Sequence, residues 1–118
     1  MIKDFAYIVL SNPVQGREDE YNAWYTGQHL ADVIAVPGFV SAQRFRLCDA
    51  AAEGAPQQRY MAIYNMQTDD PVALIAKLTA LVESGEVAMS EAFSHEGLST
   101  ILYEAVTPLV IKTATQEI

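Results

Sequence analysis

The chain has 118 residues, 51% of them hydrophobic, and sets 15 acidic side chains against 7 basic ones for a formal charge of −8. That length supports one core and is short for two, so residues 1–118 are expected to form a single domain. The acidic balance and the absence of a basic run argue against nucleic acid as a partner. No apolar stretch approaches the roughly 20 residues needed to span a bilayer, and Met1-Ile-Lys-Asp4 shows no signal-peptide pattern, so the protein is expected to be cytoplasmic and free of membrane contact.

Phe5 to Leu10 is a continuous apolar run closed by Ser11-Asn12-Pro13 and Gly16, and reads as a strand covered on both faces. Glu18, Asp19 and Glu20 load acid into the start of a helix that Pro37-Gly38 must stop, giving a helix over 18–36. Phe39 to Leu47 alternates as a second strand. A polar connection over 49–58 leads to a third strand at Arg59 to Met66. The lone Cys48 has no disulfide partner and no zinc-site spacing, and is expected to be a small apolar residue at the strand end. Asp70-Pro71 opens a second helix with an N-cap acid and a proline at the first helical position. Val72, Ile75, Leu78, Thr79 and Val82 then recur at helical spacing, and Gly85 caps the end. Residues 86–97 form a connection anchored by Met89 and Phe93, and Ser99 to Ile111 is a last strand running beyond Pro108. The order βαββαβ predicts an α+β, ferredoxin-like unit, an antiparallel sheet with both helices on one face.

These strands carry apolar residues in both alternation classes: Phe5, Tyr7 and Val9 on one face of the first, Ala6, Ile8 and Leu10 on the other. A monomer would expose the second face, so a homodimer joined through its sheets is expected.

Wound at about 100° per residue, the first helix places His29 in an arc with Tyr25, Val33, Val36 and, at its edges, Tyr21 and Leu30. An enclosed imidazole is either a candidate acid, base or ligand or a core histidine bonded to backbone. Asp32 is placed to reach the imidazole or to face solvent, and Trp24, about 140° away, to pack outside the pocket. Arg44 and Arg46 share a strand face with Val40 and Ala42. At least one should therefore be buried and paired, with Glu104, a bound anion or the dimer interface as partner. Tyr7, Tyr60, Tyr64 and Tyr103 offer strand hydroxyls, and Asn12 and Asn22 lie near the expected cavity mouth. His95 sits in the connection before the last strand, where it either covers the pocket mouth or faces solvent. No metal-ligand spacing and no nucleotide fingerprint is present, so no cofactor is expected.

The stretch Glu18-Asp-Glu-Tyr21-Asn-Ala-Trp24-Tyr25-Thr-Gly-Gln-His29, with Val36-Pro37-Gly38-Phe39-Val40 and Ala42-Gln43-Arg44-Phe45, resembles the EthD-like proteins of the dimeric α+β barrel superfamily over residues 5–47, and by element order beyond. The resemblance implies an aromatic pair and a histidine on the first helix, with His29 in that position. It also implies a dimer, and chemistry of the kind its relatives perform on phenolic or polyketide-like molecules: dehydration, cyclisation, decarboxylation, lactone isomerisation or cofactor-free oxygenation. The expectation is a small cofactor-independent acid/base enzyme of lyase, dehydratase, cyclase or isomerase type. His29 would be its base, and Tyr25 and Arg44 would complete the catalytic group. Tyr7, Val33, Val36, Tyr64, His95 and Tyr103 would hold an aromatic ligand. A carrier that binds without turnover, or a haem protein with His29 as axial ligand, are the alternatives.

Overall fold

The structure is a computed structural model and describes residues 1–48 and 57–113. Most of the connection expected over 49–58 lies outside the described residues. Strand β1 (Lys3–Pro13) leads to α1 (Glu18–Trp24), a π-helical turn (Tyr25–His29) and α2 (Leu30–Ile34). Strands β2 (Phe39–Arg46) and β3 (Tyr60–Thr68), helix α3 (Pro71–Ser84) and strand β4 (Phe93–Glu104) follow. The four strands form one antiparallel sheet in the order β2-β3-β1-β4, the ferredoxin-like arrangement expected from the element order.

Register decides which residues meet the helices. Tyr7 pairs with Tyr64 and Leu102, and Val9 with Ala62 and Thr100, while Ala42 and Arg44 continue the same two rows on β2. Side chains of directly opposed residues share a face. Val9, Tyr60, Ala62, Tyr64 and Met66 accordingly form one core with Tyr21, Tyr25, Val33 and Val36 of the first helical segment and Leu74 and Leu78 of α3. Burying each large apolar side chain contributes about 1.5–3 kcal/mol before entropy is counted.

The first helical segment starts as its sequence suggests. Three acids occupy its first turn, and Arg17 grips Glu20 with Nε at 2.9 Å and Nη2 at 2.7 Å. It ends at Pro37-Gly38, where Gly38 has φ of +108° and a Cβ would come within 2.7 Å of the Leu74 side chain, so only glycine lets the chain turn this close under α3. Between these ends the helix is not uniform: the Leu30 amide donates to the Tyr25 carbonyl five residues back, which inserts one residue into the turn.

Helix α3 opens as expected, with Asp70 Oδ1 accepting from the Ala73 amide at 3.0 Å, and stops before Gly85. Its buried stripe is Leu74 and Leu78 with Ile75, Leu81 and Val82 beside them, whereas Val72, expected in that stripe, faces solvent. Strand β4 begins six residues earlier than expected and ends at Glu104 instead of Ile111. Its length is set by its partner: β1 starts at Lys3, so the last rung is the Ala105 amide on the Asp4 carbonyl at 2.9 Å, and beyond it no strand is left to pair. Cys48 lies just past the end of β2 and is exposed. Among the described residues no helix is long and apolar enough to cross a membrane.

Candidate functional site

His29 lies at the end of the π-helical turn and is only 7% exposed. It shares the buried side of its helix with Tyr25 and Val33, as the 100° phase predicts, but the inserted residue brings a third neighbour. Trp24, five positions earlier, stacks on the imidazole at 4.6 Å between ring centroids and 29° between planes. The expectation that Trp24 points away from His29 is corrected on this ground, because a π turn superposes residues five apart where an α-helix separates them by 140°. Trp24 is fixed there by its Nε1 donating to the Ala88 carbonyl at 3.1 Å. The Tyr25 ring meets the imidazole edge-on at 5.1 Å and the Tyr64 ring at 6.5 Å.

This aromatic wrapping has an electrostatic consequence. Burial pulls the His29 pKa down to about 4, against a smaller opposing pull from Asp32. Asp32 itself accepts from Gln28 Nε2 at 3.3 Å and does not bond the imidazole. His29 is therefore neutral at pH 7. Its Nδ1 is the buried side-chain polar atom that, among the described residues, finds no hydrogen-bond partner. A buried ring nitrogen left unpaired costs stability and is rare outside functional sites.

Beside the imidazole is a cavity of about 190 Å³ whose lining includes Tyr7, Val9, Tyr25, Val33, Tyr64, Met89, Phe93, His95, Leu98 and Thr100. Most of that lining is carbon. Two of its hydroxyls are bonded to each other: Tyr64 donates to Tyr25 at 3.3 Å, and since each phenol has a single proton, the Tyr25 proton is left to donate elsewhere. Burial pushes the Tyr25 phenol up to about 12 and Tyr64 further in the same direction, so both stay protonated.

The sequence-predicted residues divide. His29, Tyr25, Tyr7, Val33, Tyr64 and His95 meet around the cavity. His95 reaches it because β4 carries a bulge there: Leu10 pairs with Ser99 but Asn12 with Ser94, which leaves His95 to Leu98 looped out around Gly97. Bulges of this kind re-aim side chains beside sites. Val36 is buried but does not line the cavity. Tyr103 belongs to the opposite face of the sheet, opposed to Ala6, and is 57% exposed. Arg44 is half-buried, but on the far side of Tyr25. Its Cζ lies 4.5 Å from the Tyr25 centroid, with Nη1 on Thr26 Oγ1 and Nη2 on Asn22 Oδ1, both at 2.8 Å. Arg46 is exposed, and Glu104 pairs with Lys3 at 3.3 Å instead of with either arginine. Asn12 and Asn22 serve structural bonds, to the Arg59 amide and to Tyr60 and Arg44. Met89 and Phe93, read as anchors of a connection, are cavity walls. Trp24 is the neighbour that a uniform helical phase conceals. Among the described residues no group of three or more His, Cys, Asp or Glu gathers to hold a metal.

No family model matches the chain, and the search of curated proteins finds no match. Solved structures do match. The heme-degrader MhuD from Mycobacterium tuberculosis, solved with two hemes bound in its active site, superposes with a TM-score of 0.63 at 18% identity over 90% of this chain and 99% of that one. An ethyl tert-butyl ether D (EthD) family protein from Bacillus halodurans gives 0.58 at 18% identity over 86% and 98%. A candidate monooxygenase from Shewanella loihica gives 0.56 at 16% over 96% and 99%. The chain thus shares its ferredoxin-like α+β fold with these proteins, an EthD family protein among them, the fold that the resemblance over residues 5–47 implies. At these identities the likeness speaks to fold, and the site must speak to function.

Proposed function

We propose that this protein is a cofactor-independent enzyme that moves a proton on a single-ring phenolic or similar aromatic molecule, in a lyase, dehydratase, cyclase or isomerase type of reaction. The observation that carries the reading is a buried, neutral His29, its Nδ1 without a hydrogen-bond partner, among the residues that line an apolar cavity. At pH 7 the imidazole is in the unprotonated form that a general base requires. Tyr25, held protonated and oriented by Tyr64, is a donor for the oxyanion that forms when a proton leaves a phenol or a carbon beside a carbonyl. Arg44 acts on this site through the Tyr25 ring, as a positioning residue, and not on the substrate.

Size narrows the ligand. An apolar cavity of about 150 Å³ holds a benzene, so about 190 Å³ takes one substituted ring. A haem does not fit: drug-sized ligands already need roughly 300–1,000 Å³, and none of the cavity-lining residues is a lysine or arginine that could meet propionates. No step is assigned to that group. Titrating p-cresol and cyclohexane-methanol into protein labelled with ¹⁵N at histidine tests the reading. The phenol is expected to bind saturably and shift the His29 ring nitrogens. Equal binding of the saturated analogue with no shift at His29 would refute it.

The working unit is a homodimer. On the sheet face away from the helices, Ile8 stands opposite Ile63 and Ile101, flanked by Ala6, Leu10, Met61 and the exposed Phe45 and Tyr103. An apolar face of this extent is more than a monomer ordinarily leaves to water, and a second copy of the same face covers it. Size-exclusion chromatography with light scattering should return twice the chain mass at micromolar concentration, and Ile8→Lys should return the chain mass. A wild-type monomer at that concentration would remove the dimer.

A further inference from the structure

On the far side of Tyr25 from His29, at the end of β2 and the start of β3 where the two strands are joined by their connection, lies a second and larger depression of about 710 Å³. Its polar lining is Glu18 with Arg44, Arg46 and Arg59. Three of the seven basic side chains of a protein with net charge −8 therefore converge on one concavity. We propose that this depression binds a small oxyanion, a phosphate or a carboxylate, at a site separate from the His29 cavity.

For Arg44 and Arg46 the convergence follows from the strand register, and Arg59, just before β3, joins them with its Nε 3.9 Å from Glu18. Arg44 and Arg46 are two residues apart on β2 and point to the same face, opposite Ala62 and Tyr60, and Arg59 enters β3 directly beside Tyr60. The Leu47 amide donating to the Arg59 carbonyl at 2.7 Å closes the two strands at this point, which fixes the spacing of the three stems. Arg44 is pre-organised: its guanidinium lies 4.5–5.4 Å from the centroids of Tyr21, Tyr25 and Tyr60 and is held by two neutral acceptors, Thr26 and Asn22. Those two bonds occupy two of its five N–H donors, and neither acceptor neutralises its charge. The carboxylate among the lining residues, Glu18, is already engaged, accepting from the Tyr60 hydroxyl and lying 3.9 Å from Arg59 Nε. Among the described residues, what remains is a concave surface with more positive than negative side chains and a fixed planar donor, the arrangement that recognises carboxylate and phosphate in two-point fashion. Leu47 lines the same depression and offers contact to an apolar remainder of such a ligand.

The test is thermal unfolding with sodium phosphate and, separately, sodium malonate, with ionic strength held constant by sodium chloride. It is run on wild type, Arg46→Gln, Arg59→Gln and, as a control on α3, Lys77→Gln. Arg46 and Arg59 are exposed, so their variants are expected to keep the far-UV circular dichroism of wild type. Wild type and Lys77→Gln should show a saturable rise in Tm with at least one of the two anions, and the anion that saturates identifies the ligand as phosphate-like or carboxylate-like. Each arginine variant should raise the apparent Kd about tenfold or more, the loss expected for one charge-assisted hydrogen bond. The proposal is overturned if neither anion saturates, or if the arginine variants respond like wild type.

Discussion

Once a turned-over phenol is in hand, His29→Ala is expected to lose about 10²-fold or more in kcat while its Kd for that molecule changes only a few-fold. The two parameters separate because they rest on different parts of the site. Affinity comes from the apolar walls supplied by Tyr7, Val9, Val33, Met89 and Phe93, none of which the substitution removes. The rate rests on proton transfer to the imidazole, and general-base catalysis contributes typically 10²–10⁴-fold, about 3–5 kcal/mol of barrier. Because burial holds His29 near pKa 4, the acid limb of the kcat/KM profile should fall near pH 4 and not near the 6.5 of an ordinary histidine. Tyr25→Phe should lower kcat without moving that limb, since it deletes the oxyanion donor and leaves the base. If His29→Ala keeps both rate and affinity, the acid/base assignment of His29 falls.

Much of this site is legible in the sequence because it sits on one helix face. Tyr21, Tyr25, His29, Val33 and Val36 recur at a spacing that forces them inward, and the structure buries all five. Strand and helix order likewise follow from local signals, such as the Asp70-Pro71 start and the Pro37-Gly38 stop. What escapes is set by contacts between distant segments. The π turn that lays Trp24 on His29 has no local signature in Tyr25-Thr-Gly-Gln-His29, since it depends on where the helix must meet the sheet. Strand β4 takes its start, its bulge and its end from pairing with β1, some ninety residues away, so His95 reads as a loop residue while it belongs to a strand rim. Alternation along β2 predicts that at least one of Arg44 and Arg46 is buried and paired; the structure half-buries Arg44. Its partners are neutral oxygens and three tyrosine rings, which alternation along β2 alone cannot reveal.

Lowering the pH from 7 to 4 is expected to cost the wild-type fold about 3 kcal/mol through His29 alone, and His29→Phe should abolish that component. The folded-state pKa of about 4 lies below the ordinary 6.5. Between those two values the unfolded chain binds a proton at this position that the folded chain refuses, so stability rises with pH across the window. The contribution is complete above pH 6.5, declines as pH falls, and is exhausted once both states are protonated below pH 4. A difference of about 2.5 units at 1.36 kcal/mol each gives the stated size. Phenylalanine suits the replacement because the ring sits among Trp24, Tyr25 and Tyr64, and it removes both the titration and the unpaired Nδ1. Urea unfolding at pH 7.0 and 4.5 measures both effects: wild type should lose most of the 3 kcal/mol between them, and His29→Phe should lose correspondingly less. Equal losses in the two proteins would mean that His29 titrates normally and is not enclosed. The same enclosure that makes the imidazole a neutral base at pH 7 therefore shows itself as acid sensitivity of the fold, which can be measured before any substrate is known.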